Sequence, residues 1–187
     1  MTYRYQVLPP TALSEESIQA ILDLWQIPAW KGMDTETFRR QFSQSEFHVL
    51  SDAATGALQC IARINHDFTL TIAGRPYTFA ELVGLVAAEQ GRGSGKNLMS
   101  KISHNLQERN LQTIGFCNKE LRPFYEKCGV TILHDRAGHI YEQTDAGWVP
   151  SDDDDILDIN LSSENNARLR ALDKSNVAYY TPSSSLN

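Results

Sequence analysis

The residues whose types and spacing are best suited to chemistry form a glycine-rich turn, Gln90-Gly-Arg-Gly-Ser-Gly-Lys96. The turn follows an apolar run, residues 78–88, that is typical of a buried strand. After it, Leu98, Ile102 and Leu106 recur every four residues, as on one face of a helix. Glycines let a backbone approach a ligand closely, and the amides at a helix start attract anions. The turn is therefore predicted to bind phosphate.

Two familiar kinds of phosphate-binding turn fail on spacing. A nucleotide-binding P-loop reads Gly-x-x-x-x-Gly-Lys-Ser/Thr, whereas only three residues separate Gly91 from Gly95, and Asn97 follows Lys96. A dinucleotide-binding turn that starts at Gly91 needs a glycine where Lys96 stands. The pattern that remains is Gln-x-x-Gly-x-Gly, which begins at Gln90.

A second block lies at residues 115–129, Gly-Phe-Cys-Asn-x-x-Leu-Arg-Pro-Phe-Tyr-Glu-Lys-Cys-Gly, and contains Asn118, Phe124 and Tyr125. Together the two blocks resemble the GNAT superfamily of acetyl-CoA-dependent N-acetyltransferases. In that family a Q/R-x-x-G-x-G/A turn is followed by a helix, a strand, an Asn and an aromatic-Tyr pair. Both blocks stand on the expected elements within residues 81–129, so the resemblance is specific.

The resemblance implies that acetyl-CoA is the co-substrate. Backbone amides of the turn would hold its pyrophosphate, and the main chain of Val83 and Leu85 would pair with the pantetheine arm as an added strand does. The amide near Leu85 would also polarise the thioester carbonyl. For Arg92 and Lys96, solvation of a long basic side chain is the alternative. The implied cofactor contacts are Val83, Leu85, Val86, Gln90, Gly91, Arg92, Gly93, Ser94, Gly95, Lys96, Asn118 and Phe124.

Proton transfer is assigned to Tyr125 and Glu81. The resemblance implies that Tyr125 protonates the departing thiolate, and a phenol, with a pKa near ~10, is neutral at neutral pH. The alternative is that Tyr125 is only the buried face of a short helix. Glu81 is the candidate base because it is a carboxylate within an apolar strand and shares a face with Val83 and Leu85. Its alternative is a strand-end carboxylate that pairs with Arg75 or with solvent.

The predicted acceptor is the primary amine of a small molecule such as an aminoglycoside or a polyamine. A weaker resemblance links the chain to aminoglycoside 2′-N-acetyltransferases, through Glu81 nine residues before Gln90 and through Ile-Leu-Asp-Ile-Asn-Leu at 156–161. The family resemblance places the acceptor around residues 25–33 and the last strands. The rival class is a non-catalytic acyl-CoA-binding regulator or interaction module, which would keep the turn but need neither Glu81 nor Tyr125.

The surrounding pattern predicts an α+β fold of the GNAT kind. Its sheet is mixed and largely antiparallel, with helices on both faces and a central parallel strand pair, 79–88 and 112–117, splayed around the cofactor. One helix is expected after Ser14, a plausible N-cap, and Asp34 or Thr35 is expected to open a second short helix. Further strands are expected at 47–50, 58–64, 67–72, 140–143 and 156–161. Residues 1–162 would form the acyltransferase domain, and residues 163–187 an extension with a short helix and a loose tail from Tyr179.

Composition and charge narrow the remaining classes. A net charge of −6 is unlike that of a nucleic-acid-binding protein, and no apolar run is long enough for a membrane span. The three cysteines and five histidines lack metal-site spacing, so no metal and reduced cytoplasmic thiols are expected. The run from Asp152 to Asp155 is interpreted as a solvated turn, with attraction of a polycationic acceptor as the alternative. A homodimer is left open.

Overall fold

The computed structural model describes residues 2–181, which form ten strands and five α-helices. The elements in chain order are β1 (Tyr3–Leu8), α1 (Glu15–Trp25), α2 (Thr35–Gln41), β2 (Ser45–Asp52), β3 (Leu58–Ile72), β4 (Arg75–Ala87), α3 (Ser94–Glu108), β5 (Thr113–Cys117), α4 (Arg122–Lys127), β6 (Thr131–Leu133), β7 (Ile140–Thr144), β8 (Gly147–Pro150), β9 (Asp155–Asp158), α5 (Ser163–Arg170) and β10 (Ala178–Tyr180). The chain divides into two compact units, Met1–Asn65 with Leu82–Ile102 and His66–Glu81 with Ser103–Asn187.

The first unit contains the antiparallel strands β1, β2 and the start of β3, in that order. Its two short helices start where the sequence predicts. Ser14 accepts a hydrogen bond from the Ser17 amide at 3.2 Å, and Asp34 accepts one from the Thr37 amide at 2.8 Å. Such caps satisfy amides that the first helical turn leaves unpaired. The core that these elements enclose consists of Leu13, Ile18, Ile21, Leu22, Phe38, Phe42, Phe47 and Ile61.

The second unit contains the strand path β6-β9-β5-β4-β3-β10-β7-β8, to which β3 and β4 contribute their other ends. β10 and β7 run parallel, whereas β5–β9, β6–β9, β10–β3 and β7–β8 are antiparallel. The predicted class, a mixed and largely antiparallel sheet, is confirmed. β4 and β5 are neighbours as predicted, and the Ala80 amide donates to the Gln112 carbonyl at 2.9 Å. None of the helices in residues 2–181 combines the length and apolarity that a bilayer span requires.

Three features of the strands differ from the sequence prediction. β3 is one continuous strand of 15 residues, because His66 and Asp67 stay extended where two strands were expected to be separated. β8 was not predicted. Nor was β10, which takes Tyr179 out of the expected tail and into the sheet between β3 and β7. Residues 182–187 of that tail lie outside the described residues, and the domain boundary after residue 162 stays a prediction.

β4 also departs from the expected burial. Phe79, Ala80 and Leu82 are buried, but residues 83–87, at the end that leads into the glycine-rich turn, are only partly buried. A strand buried on both faces would have hidden them completely. The apolar side chains of this segment therefore keep part of their surface available to a ligand.

Candidate active site

The glycine-rich turn ends in the first turn of α3. The Gly93 carbonyl accepts a hydrogen bond from the Asn97 amide at 3.0 Å, which is the first bond of the helical ladder. The amides of residues 94–96 precede that bond and have no partner within the helix. They carry the positive end of the helix dipole, so the geometry suits an anion such as phosphate.

Glycine is required in this turn by backbone conformation. Gly91 and Gly93 have φ angles of +77° and +80°, in the left-handed region that other residues adopt only with strain. A Cβ atom built at either position would have no heavy atom within 4 Å. The space beside both residues is open, so a side chain would intrude on whatever binds there.

The long side chains of the turn lie at the surface. The Arg92 guanidinium pairs with the Glu89 carboxylate at 2.9 Å, with 74% of the Arg92 side chain exposed. Gln90 and Lys96 are exposed as well. This placement favours the interpretation of Arg92 as an exposed, solvated side chain.

The side chain of Trp25 contacts β4 at Gly84, in the part of the strand that leads to the glycine-rich turn. Gly84 has φ +66°, and its carbonyl accepts a hydrogen bond from Trp25 Nε1 at 2.8 Å. A Cβ atom at Gly84 would lie 2.9 Å from Trp25 Nε1, so only glycine fits beneath the ring. This contact was not predicted from the sequence. The signal was a glycine inside an apolar strand, which often marks a bulge or a close approach.

Tyr125 lies on α4 with only 7% of its surface exposed. Its ring packs edge-on against Phe124, with the centroids 5.0 Å apart. Burial, and after it the neighbouring thiols of Cys117 and Cys128, raise the pKa of the Tyr125 phenol above its usual value. The hydroxyl therefore keeps its proton throughout the physiological pH range, which a proton donor requires.

The other candidate residues of the second unit occupy different environments. Asn118 is exposed, and its carbonyl accepts from the Leu121 amide at 3.0 Å, which starts the turn before α4. Phe124 and Glu81 are partly buried. Burial and the nearby carboxylate of Asp155 raise the pKa of the Cys117 thiol to about 12, so this cysteine is no thiolate nucleophile.

The last residue of the acidic run Asp152 to Asp155 has a structural role, which neither interpretation of the sequence predicted. Asp155 is fully buried, and its carboxylate forms a bidentate ion pair with Arg122, the first residue of α4. The Asp135 amide also donates to this carboxylate, at 2.8 Å. Burial alone would raise the pKa of Asp155, but these bonds outweigh it and hold the pKa below its usual value. The cluster anchors the start of the helix that carries Tyr125.

The predicted site residues are divided between the two units. The segment from Val83 to Lys96 belongs to the first unit, and Glu81, Asn118, Phe124 and Tyr125 belong to the second. Within residues 2–181 the histidines, cysteines and carboxylates form no cluster that could hold a metal ion.

Comparison with known proteins places the chain in a family. The model of the acetyltransferase (GNAT) family matches residues 19–130, more than half of the chain. The chain therefore belongs to the GNAT acetyltransferase family, as the two sequence blocks predicted. No curated protein matches the sequence.

Solved structures with the same fold share little sequence with this chain. The catalytic domain of the Tetrahymena Gcn5 histone acetyltransferase in complex with coenzyme A has a TM-score of 0.54 at 17% identity, over 87% of this chain and 95% of that one. Glucosamine-6-phosphate N-acetyltransferase from Arabidopsis thaliana has a TM-score of 0.53 at 16% identity, over 70% and 92%. Escherichia coli ElaA has a TM-score of 0.53 at 14% identity, over 84% and 99%. At these identities the likeness establishes the fold alone.

Proposed function

We propose that this protein is an N-acyltransferase that moves an acetyl group from acetyl-CoA to a primary amine. The observation that carries the proposal is the glycine-rich turn, in which two left-handed glycines lead into the first amides of α3, which have no partner within the helix. The turn lies within the part of the chain that the GNAT family model matches. The pyrophosphate would be bound by amides of Gly91 to Lys96, where the helix start favours negative charge.

The partly buried end of β4 suits the rest of the cofactor. In the proposal the pantetheine arm lies along Val83, Leu85 and Val86, whose side chains are not fully covered by protein. Coverage of this apolar surface by a ligand removes it from water, which favours binding. The amide groups of the same segment would bind polar atoms of the arm as an added strand does.

The chemical step requires two proton transfers. The acceptor ammonium must lose a proton before its nitrogen attacks the thioester carbon, and Glu81 is the proposed base, directly or through water. The C–N bond then forms, the C–S bond breaks, and the thiolate takes a proton. Tyr125 is the proposed donor because it matches the tyrosine of the family's aromatic-Tyr pair, and its buried phenol is neutral. Its raised pKa also makes it a weak acid, so in the proposal a hydrogen bond from the phenol to the sulfur supplies part of the stabilisation.

A groove in the first unit supports a cationic acceptor. It has a volume of about 820 Å³ and lies beside α1 and the start of α2. The charged residues that line it are all carboxylates: Glu15, Glu16, Asp23, Asp34 and Glu36. Such a field attracts ammonium groups. We favour a small polyamine or aminoglycoside as acceptor on the basis of the sequence, and the acidic groove agrees with the positive charge of such an acceptor.

The proposal is tested first by cofactor binding. Coenzyme A at about 100 times its Kd should stabilise the fold by about 2.7 kcal/mol, which a thermal shift measures. Pantetheine lacks the pyrophosphate and serves as the control, with a smaller expected shift at equal concentration. No shift with millimolar acetyl-CoA in well-folded protein would contradict the proposal.

Turnover separates the enzyme from its rival class. Thiol release from acetyl-CoA is measured against a panel of polyamines, aminoglycosides and basic peptides. An acetyltransferase releases thiol with at least one amine, whereas an acyl-CoA-binding regulator binds the cofactor and releases none. The presence of both Glu81 and Tyr125 favours the enzyme.

Substitution of the turn glycine should weaken cofactor binding itself. In Gly93→Val, a β-branched residue at φ +80° is strained and its side chain enters the open space beside the turn. We expect Kd for coenzyme A, measured by titration calorimetry, to rise by ~10-fold or more, because the side chain occupies the space beside the turn and the amides lose their alignment, and a loss of about 1.4 kcal/mol of binding free energy already raises Kd ~10-fold.

Gly56→Val is the matched control. Gly56 has φ +77° and open space around it, but lies in the turn between β2 and β3. The two variants should lose similar thermal stability, while only Gly93→Val should lose coenzyme A affinity. An equal loss of affinity in both would show that the turn has no particular role in binding.

A further inference from the structure

Trp25 makes one polar contact that its neighbours in the core do not share. Its Nε1–H donates to the Gly84 carbonyl at 2.8 Å. Its ring also packs against Trp30, Phe42 and Phe47, with centroids 5.3, 5.9 and 6.0 Å apart respectively. The aromatic cluster fixes the position of the indole, and the indole fixes the position of a strand carbonyl.

That carbonyl belongs to the peptide unit that joins Gly84 to Leu85. The peptide is trans and planar, so its C=O and its N–H point in opposite directions. Because the oxygen is held against Trp25 Nε1, the Leu85 N–H must point away from the indole. A single hydrogen bond therefore sets the direction of the Leu85 amide.

In a regular strand, no side-chain hydrogen bond such as that from Trp25 is needed to orient a peptide unit. Along a regular strand, pairing with neighbours sets the direction of each peptide, but φ +66° at Gly84 breaks the regular geometry. A residue with a side chain at position 84 would collide with the indole, because a Cβ atom at Gly84 would lie 2.9 Å from Trp25 Nε1 and 3.1 Å from its ring carbon Cε2. Trp25 can therefore occupy its place only because residue 84 is glycine.

We propose that Trp25 is a positioning residue for acyl transfer, which aims the Leu85 N–H at the oxygen of the thioester carbonyl. The inference rests on the proposed function. When the acceptor nitrogen attacks, the C–N bond forms and negative charge collects on that oxygen until the C–S bond breaks. A donor whose direction is fixed in advance stabilises this charge without reorganisation. In this role Trp25 acts through the Leu85 amide.

The test compares Trp25→Phe, which keeps a ring but removes the N–H donor, with Trp148→Phe at an exposed tryptophan of β8. In ¹⁵N–¹H spectra of the unliganded protein, we expect the Leu85 amide to shift in Trp25→Phe and to stay in place in Trp148→Phe. In turnover, Trp25→Phe should lower kcat by ~10-fold or more, less than the ~10²–10³ lost when such a donor is removed outright. Kd for free coenzyme A, which has no acyl carbonyl, should change by about two-fold or less.

Phe47→Leu separates the hydrogen bond from packing. It loosens the same aromatic cluster but leaves the indole N–H in place, so we expect a lower Tm with the Leu85 amide little moved. If Trp25→Phe does not fold, benzothienylalanine at position 25 keeps the bicyclic shape and lacks the N–H.

Two results would overturn the inference. One is an unmoved Leu85 amide in Trp25→Phe, whatever the turnover. The other is a loss of coenzyme A affinity as large as the loss of kcat, which would indicate a general packing defect. Wild-type protein that releases no thiol with any amine would instead contradict the proposed function, and the amide measurement would still decide the geometric part.

Discussion

We expect Tyr125→Phe to lower kcat by ~10²–10⁴-fold, the usual contribution of a general acid. The substitution removes only the phenolic hydroxyl, and the ring keeps its buried place against Phe124. Because the proton is needed in the transition state and not for cofactor binding, Kd for coenzyme A should stay nearly the same. Steady-state kinetics with the identified acceptor, together with calorimetry, measure the two quantities.

Tyr179→Phe is the control for this substitution, since Tyr179 is 38% exposed on β10 and has no proposed role. Its kcat should equal that of the wild type. An unchanged kcat in Tyr125→Phe would mean that water or the acceptor's own proton serves the thiolate, and Tyr125 would then be a packing residue of α4.

The second large effect is expected from Asp155→Ala. Removal of the fully buried carboxylate leaves the Arg122 guanidinium, with 24% of its side chain exposed, without its bidentate partner. Breaking a buried ion pair costs about 3–5 kcal/mol, and the partial exposure of Arg122 argues for the lower end, about 3 kcal/mol. This corresponds to a fall in Tm of roughly 6–12 °C in a chain of this size.

Asp152→Ala is the matched control, because it removes the same charge from an exposed position in the same run. Its Tm should stay close to that of the wild type.

The pKa of Asp155 is lowered in the folded state, so its stabilising effect is present above the unfolded pKa and is lost as the pH falls through the folded one. The free energy of unfolding of wild type and that of Asp155→Ala should therefore become more similar in strong acid. If the two free energies of unfolding differed by the same amount at neutral pH and in strong acid, the ion-pair explanation would be contradicted.

Family membership was predictable from two short contiguous segments. The turn and the Asn-to-Tyr block could be identified because each resembles a sequence pattern of the GNAT family, and such a pattern can be read without knowledge of the fold. The cap Ser14 was predictable for a similar reason, since a cap bonds an amide three residues away, and the structure adds Asp34 as the cap of the second helix. The GNAT family match agrees with this reasoning.

What escaped prediction depends on partners far away in the chain. Trp25 and Gly84 are 59 residues apart, and Arg122 and Asp155 are 33 apart. A run of four aspartates is typical of a solvated turn, and nothing within the run shows that its last member meets an arginine in the interior. The continuity of β3 and the existence of β10 likewise depend on neighbouring strands, because β-propensity reflects context more than local sequence.

The place of β10 has a consequence for the order in which the protein can be made. β10 forms at residues 178–180, yet it lies between β3 and β7, antiparallel to the first and parallel to the second. During synthesis the β7–β8 hairpin leaves the ribosome before the strand that joins it to β3 exists. Ala178, fully buried, also completes a core cluster whose earliest member is Phe68. β10 thus closes the sheet after the strands on either side of it have been synthesised, so a chain that ends before residue 178 would leave unpaired edges on β3 and β7, and such edges favour aggregation.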